Sequence, residues 1–536
     1  MFRFRRTLLW LLIVASFLVT DRPVAQAIPP TDPVPIEPLP DGAVLETFVN
    51  SAHNLVAMDF TPDGRWLYTE RTSGYDGDVG GNAGYVRVVD HGILQPTPVY
   101  KFPVDPNGER GLLGIAVDPN FTSNHRVWTY FTKLNSNGTL NNRVAWLILN
   151  NDNSVSANNE GIAAAFPVDY YISVHNGGNL HFGPDGKLYV TVGNNNVTND
   201  NSDPAQSLAS PLGKIHRFNP TVPLSTPSDN PFGNNTIYAY GLRNSFDFAF
   251  DPISHQLFAT ENGDACDDEI NLILRGGNYG WRPFYPCDDE APTGPAPQYN
   301  TIRPLIYWTP TKAPTGLTFY TGDLFPEWQS DMFMCAFKDS STALYHFKLN
   351  TARTAIASET VISDSTSPNI HCRTDVLTGP DGALYYSQDG GFNDGPIMRI
   401  TRTSSYIASA IDVTPAAVRA GDIATFTLRA RHAGTLSNTF NLTATIPPSM
   451  TLLPGAIQYQ HGVLNYEADH IWWTGLLSHT ETWTATYQVQ ITAAMTSPAI
   501  LIGSMDISAP GHPTFSFTTN LLVNGYEIYL PIIMRN

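Results

Sequence analysis

HFGPDGKLYV, residues 181–190, packs an apolar strand end, a tight turn and a second, alternating strand into one short segment. The turn has a physical reason: proline presets φ, aspartate bonds back to the backbone, and glycine tolerates positive φ. The same unit recurs as FTPDGRWLY around Pro62, AVDPNF around Pro119, AFDPISHQLF around Pro252 and TGPDGALYY around Pro380. From one of these prolines to the next the spacing is 57, 65, 68 and 128 residues. The last interval is twice 64, so one copy is degenerate, and PTGLTFYTGDLFPEW, from Pro314 to Trp328, sits inside it. Six units of about 60 residues predict six four-stranded blades closed into a propeller, a ring that leaves few strand edges exposed. An irregular β-sandwich with chance turns is the plainer alternative.

Composition points the same way. Only 15% of the 536 residues are charged, while Gly and Pro number 41 and 42, a mixture suited to many short strands and tight turns. Near residue 404 the character changes. Residues 405–525 are rich in Thr, Ser and Ala and alternate cleanly, as in Ala424-Thr425-Phe426-Thr427-Leu428-Arg429-Ala430-Arg431. Turns such as Pro447-Pro448 and Pro454-Gly455 interrupt them, which predicts an immunoglobulin-like β-sandwich. Trp472-Trp473-Thr474-Gly475 resembles the repeat modules of large bacterial surface proteins. The expected class is therefore all-β: a six-bladed β-propeller over 45–402, then an immunoglobulin-like β-sandwich over 405–525, with an apolar C-terminal tail at 526–536.

The N-terminus reads as a signal peptide over 1–27. Arg3, Arg5 and Arg6 form its positive region, Leu8 to Val19 its apolar run, and Ala25-Gln26-Ala27 its cleavage site. The apolar run is shorter than the roughly 18 residues a membrane span needs, so the mature chain is expected outside the cytoplasm with no transmembrane anchor. Residues 28–44 are too proline-rich for helix or central strand and read as a linker or extended lead-in. The formal net charge of −18 argues against nucleic-acid partners and anionic lipid surfaces. Four cysteines in an exported chain favour disulfides. Of the three possible pairings, Cys266–Cys287 and Cys335–Cys372 are favoured because each closes a modest loop. No CxxC spacing supports zinc.

Four segments of the propeller part are dense in Gly, Asn and charge where turns are expected, and loops on a rigid scaffold are where sites usually lie. They are Gly108-Glu109-Arg110-Gly111-Leu112-Leu113-Gly114, then Val174-His175-Asn176-Gly177-Gly178-Asn179-Leu180, then Tyr240-Gly241-Leu242-Arg243-Asn244. The fourth is Glu261-Asn262-Gly263-Asp264-Ala265-Cys266-Asp267-Asp268-Glu269-Ile270-Asn271, running on to Gly276-Gly277-Asn278-Tyr279-Gly280-Trp281. In this order, and with FYTGDLFPEW, they resemble the signature segments of the glucose/sorbosone dehydrogenases, six-bladed propellers that use pyrroloquinoline quinone (PQQ). The resemblance covers roughly residues 45 to 402.

The resemblance implies a chemistry residue by residue. His175 matches the base that removes a proton from a sugar hydroxyl while hydride passes to the cofactor, a task suited to imidazole, whose pKa lies near working pH. Arg243 matches the arginine at the quinone oxygens, where a cation stabilises growing negative charge. Asn244 follows it as in the family. Lys338 matches a lysine for a PQQ carboxylate, and Arg373 lies where cofactor-binding arginines are usual. Calcium, held partly by backbone carbonyls, is implied at Gly263 and Asp264, with a second ion near Glu269 and Tyr279; Ca²⁺ is a hard cation that accepts carbonyl and carboxylate oxygen. The arginine pair usual near Arg373 is reduced to one, and three further positions depart from the pattern. Glu109 stands where a substrate-binding Gln is common, Asn194 where an Asp pairs with the catalytic His, and Val174 where the residue before the His is polar. An Asn orients an imidazole without lending it a full charge.

The implied activity is oxidation of an aldose to its lactone, with a sugar substrate and an external electron acceptor as partners. Two other readings compete: a secreted propeller that binds protein or glycan without catalysis, and a calcium-dependent propeller hydrolase such as a lactonase. P-loop, GxSxG, HExxH and CxxCH signals are absent from the sequence. The sandwich is expected to contact a cell surface or glycan.

Overall fold

A computed structural model describes residues 33–524 except 41–42, 73–81, 91, 196–202, 265, 282–300, 365–368, 403–408, 433–437, 479–480, 493–496 and 510–513. The expected signal peptide, the C-terminal tail and Cys287 lie outside the described residues. Among the described residues no helix is long and apolar enough to cross a membrane.

Six antiparallel sheets follow one another along the chain as blades. Their first strands are Leu55–Phe60, Leu112–Val117, Gly177–Phe182, Phe248–Phe250, Pro314–Phe319 and Val376–Thr378, and each touches the first strand of the next blade, the last returning to the first. The second strands are Trp66–Glu70, Arg126–Leu134, Leu188–Val192, Leu257–Glu261, Met332–Ala336 and Leu384–Ser387. Every proline of the repeat sits between a first and a second strand, and the degenerate copy supplies the first strand of the fifth blade. In the three Pro-Asp-Gly turns the glycine has φ of 87° at Gly64, 69° at Gly186 and 78° at Gly382, the left-handed region that glycine enters without steric cost. The aspartate closes the turn from the side: Asp185 Oδ1 accepts from the Lys187 amide at 3.0 Å and Asp381 Oδ1 from the Ala383 amide at 3.2 Å.

Closure comes from the N-terminal side. Ala43–Ala52 pairs with Gly395–Arg402 as the outermost strand of the sixth blade, so that blade holds both ends of the propeller chain. Phe48 on this strand meets Trp66 and Tyr385 edge-on, each at 4.9 Å between ring centroids. Within the proline-rich lead-in, Ile36–Pro38 adds as a parallel strand to Ile356–Ser363 on the fifth blade. Around the axis, carboxylates stitch neighbouring blades through backbone amides. Asp59 accepts from Val117 at 2.7 Å, Asp247 from Leu317 at 2.8 Å and Asp375 from Met58 at 2.7 Å. Cys335 and Cys372 form a disulfide between the fifth blade and the loop into the sixth. Cys266 is also disulfide-bonded.

Residues 410–523 build a separate two-sheet sandwich with its own core. One sheet orders Ala410–Thr414, Ile423–Arg431, Thr482–Ile491 and Met450–Tyr459. The other runs Ala417–Val418, Phe515–Val523, Ala499–Ser508, Asn438–Thr445, His470–Leu477 and Val463–Tyr466. The chain thus switches sheets between Thr414 and Ala417, the second half pairing parallel with Phe515–Val523. Strand alternation explains the double tryptophan. Trp473 points inward and stacks on Trp483 at 4.2 Å, both indoles donating to the His461 carbonyl, while Trp472 points outward and stacks on His470 at 4.7 Å.

Candidate active site

Antiparallel pairing puts the entrance to every first strand and the exit from every second strand on one face of the ring. That face gathers Arg71, Glu109, His175, Asn194, Arg243, Asn262, Lys338 and Arg373, from segments far apart in sequence. A pocket opens there, lined among others by Arg71, Glu109, Asn244, Asn262, Phe337 and Phe392.

His175 is the centre of a tight construction. Its φ of 55° lies in the left-handed region, which costs a non-glycine residue on the order of 1–3 kcal/mol and persists only where the surroundings over-determine it. Here its amide donates to Glu109 Oε2 at 2.8 Å, its carbonyl accepts from the Asn195 amide at 3.2 Å, and its Nδ1 lies 3.0 Å from Asn194 Oδ1. Gly193 is what lets these segments meet, since a Cβ there would collide with the His175 carbonyl oxygen. Next door, Asn244 Oδ1 accepts from the Gly177 amide at 3.0 Å, and the Asn194 amide donates to the Arg243 carbonyl at 2.7 Å. His175, Asn194, Glu109, Arg243 and Asn244 are therefore one connected set.

The charges are nearly balanced. Burial pushes the Glu109 carboxyl upward, while the His175 amide, Arg243 and Arg71 oppose it. Burial pushes the Arg71 guanidinium down to about 10, with Glu109 opposing. Arg71 also donates to the carbonyls of Gly391, Gly108 and Arg110 and lies 4.3 Å from the Phe392 ring centroid. Arg243 donates to the Asn262 carbonyl at 3.0 Å, stacks over Trp281 at 5.2 Å and stands 3.7 Å from Asp264.

Lys338 and Arg373 lie toward the fifth and sixth blades. Lys338 is exposed and donates to the Thr311 carbonyl at 3.2 Å. Arg373 donates to the Phe337 carbonyl and pairs with Asp339 at 2.7 Å, while its buried Nε faces Asp389 Oδ1 at 3.3 Å outside hydrogen-bond geometry. These donors, the pocket asparagines and the flat faces of Phe337 and Phe392 suit a planar, anionic, aromatic group. In the segment after Glu261, a Cβ at Gly263 would meet the carbonyl oxygens of Cys266 and Asp267, and burial raises the carboxyls of Glu269 and of Asp268, whose oxygens accept from the Gly263, Lys312 and Ala313 amides. That excess of oxygen and negative charge suits a hard cation. Glu269 Oε2 accepts from Asn271 at 2.8 Å, whereas the Tyr279 hydroxyl is engaged with the backbone, donating to the Leu272 carbonyl and accepting from the Leu274 amide.

Sequence reading missed Arg71, Asn262, Phe337 and Phe392. The blade repeat could have found the first three, since Arg71, Asn262 and Phe337 each directly follow a second strand. Phe392 stands in a loop with no equivalent position.

Fold and pocket define a six-bladed propeller with a braced imidazole beside a polar and aromatic cleft. The chain belongs to the glucose/sorbosone dehydrogenase family, whose sequence model matches residues 52–399. An uncharacterized protein of Synechocystis is 32% identical over 382 residues, 64% of this chain and 82% of its own. The aldose sugar dehydrogenase YliI of Escherichia coli is 29% identical over 309 residues, 55% of this chain and 78% of its own. The PQQ-bound aldose sugar dehydrogenase of Streptomyces coelicolor superposes with a TM-score of 0.52 at 26% identity, over 68% of this chain and 99% of its own.

Proposed function

We propose that the pocket oxidises an aldose at C1 to the lactone, using PQQ and passing the electrons to an external acceptor. The observation that carries the reading is the braced His175, whose Nδ1 is held by Asn194 while Glu109, which grips its amide, also lines the pocket. His175 takes the proton of the anomeric hydroxyl. Glu109 fixes the substrate side of the pocket. Arg243, Asn244, Lys338 and Arg373 would hold PQQ, which supplies the hydride acceptor when bound. Arg243 sets positive charge where negative charge grows. Calcium would sit against Gly263 and Asp264, through backbone carbonyls as well as the carboxylate, with a second ion near Glu269 and Tyr279.

One observation favours a non-catalytic binding propeller instead: Arg373 already spends its charge on Asp339 and Asp389. A lactonase-like hydrolase needs several side-chain carboxylates around one metal. Among the described residues the one such group is Glu467, Asp469 and His470, in the sandwich. The N-terminal leader and the Cys335–Cys372 bond support an extracytoplasmic location. The sandwich is read as a bacterial immunoglobulin-like module, and the outward Trp472 supports contact with a surface or glycan through it.

Mature protein, residues 28–536, reconstituted with PQQ and calcium should reduce a redox dye in the presence of one or more aldoses. His175→Ala should abolish this. Folded protein that neither binds PQQ nor turns over would instead support the binding reading.

A further inference from the structure

We propose that Asp203 is a positioning residue for the His175 base, acting through Asn194; this rests on the reading of His175 above. Asn194 stands where the resemblance implies an Asp, and the structure places a carboxylate a single hydrogen bond further out. Asp203 lies between the second and third strands of the third blade, at the start of the 3-10 turn Pro204–Gln206. It is only 6% exposed. Its Oδ1 accepts from the Ala205 amide at 2.8 Å, and its Oδ2 accepts from Asn194 Nδ2 at 2.7 Å and Trp281 Nε1 at 3.1 Å. The buried Lys214 ammonium braces the same turn, donating to the carbonyls of Pro204, Ala205 and Leu212.

Donor logic then fixes the whole line. An ionised Asp203 can only accept, and its two oxygens take the Ala205 amide, the Trp281 indole N–H and one donor from Asn194. The Asn194 side chain has one donating end and one accepting end, and its NH₂ must face Asp203. Its oxygen must therefore face His175 Nδ1, which obliges Nδ1 to carry the ring proton of the neutral imidazole. The basic lone pair is left on Nε2. Loss of the Asp203 carboxylate removes the acceptor that holds the amide this way round and lets it turn over. The turned amide would present NH₂ to Nδ1 and move the basic atom to the wrong side of the ring. The carboxylate also makes the Asn194 oxygen a better acceptor, since hydrogen bonds in a chain polarise one another. As His175 takes a proton, part of the stabilisation that a neighbouring Asp would give reaches it through the amide.

The test reads the ring directly, on the full mature chain without cofactor. Nitrogen-detected NMR of the histidine rings, with the His175 signal assigned through His175→Gln, should show Nδ1–H as the neutral tautomer. Asp203→Asn should mix the tautomers and lower the His175 pKa. In reconstituted protein it should lower kcat by about 10- to 100-fold with KM little changed, the scale of a misdirected catalytic imidazole relieved by the remaining contacts. The swap Asp203→Asn/Asn194→Asp keeps both groups and moves the charge next to His175. It should restore the tautomer and bring kcat to within about threefold of the parent, because the acceptor at Nδ1 is again fixed. An Nε2–H tautomer in the unaltered protein would overturn the proposal without any variant. So would an Asp203→Asn protein whose tautomer and His175 pKa match the parent. The parent reading fails separately, if His175→Gln leaves turnover intact.

Discussion

Gly193 and His216 show how single residues carry the third blade. At position 193 the obstacle is backbone, the carbonyl of His175, so any side chain must push the base out of place. Gly193→Ala should cost about 1–3 kcal/mol of stability, as overpacking does, and should cost turnover more than its stability loss explains. Thermal denaturation beside kcat separates the two effects. His216 is 1% exposed, its Nδ1 2.8 Å from the Thr236 hydroxyl and its Nε2 2.8 Å from the Pro211 carbonyl. The carbonyl requires Nε2–H, and burial pushes the ring's pKa down to about 4, which leaves it neutral at pH 7. The unfolded chain binds this proton near pH 6.5 and the folded chain only near 4. Stability from His216 is therefore complete above pH 6.5 and is lost as pH falls from 6.5 to about 4, by roughly 3 kcal/mol at 1.36 kcal/mol per pH unit. His216→Gln should be less stable than the parent at neutral pH and should flatten this acid limb. Melting temperatures of both proteins from pH 4 to 8 would show the curves converging on acidification; parallel curves would mean that His216 titrates normally.

At the scale of strands and turns, the blades were legible in the sequence because a tight turn must be written locally. Pro62, Pro184 and Pro380 each stand in a turn whose φ angles and side-chain bonds follow from the three residue types. The axial stitching was not legible. Asp247 reaches Leu317 of the next blade, and no spacing along one strand announces an acceptor used by another. The same holds for the site. His175, Arg243 and Asn194 stood in recognisable segments, whereas Arg71 and Asp203 matter through partners that only folding supplies. Asp247 also accepts from Asn179 Nδ2 at 2.6 Å and His181 Nε2 at 2.8 Å. Asp247→Ala would strip acceptors from donors on two neighbouring blades. The expected loss is about 2–5 kcal/mol, since buried donors left unpaired cost more than the bonds themselves contribute. Urea unfolding monitored by tryptophan fluorescence would measure it, and a loss below about 1 kcal/mol would place these donors in contact with water instead.

For the whole molecule, stability divides where the cores divide. The sandwich core runs from Ile411 to Val523 and shares no residue with the propeller clusters, so the two parts should unfold as separate cooperative units. The propeller depends on its ends meeting. Ala43–Ala52 covers the edge of Gly395–Arg402 and brings Phe48 against Trp66 and Tyr385, tying the first blade to the last. An open ring would expose that strand edge and the aromatic cluster beneath it, both of which invite association with other chains. Deleting residues 33–52 should therefore abolish the propeller transition in calorimetry, or merge it with aggregation. The sandwich transition should stay where it was, because none of its core partners is removed. Reduction of Cys335–Cys372 should act on the propeller transition alone, lowering it by an amount equivalent to about 2–4 kcal/mol, since the bond closes a loop wholly inside that part. If the shortened chain kept its propeller transition at the parent temperature, the contacts between first strands around the axis, rather than closure by the N-terminal strand, would be what holds the ring.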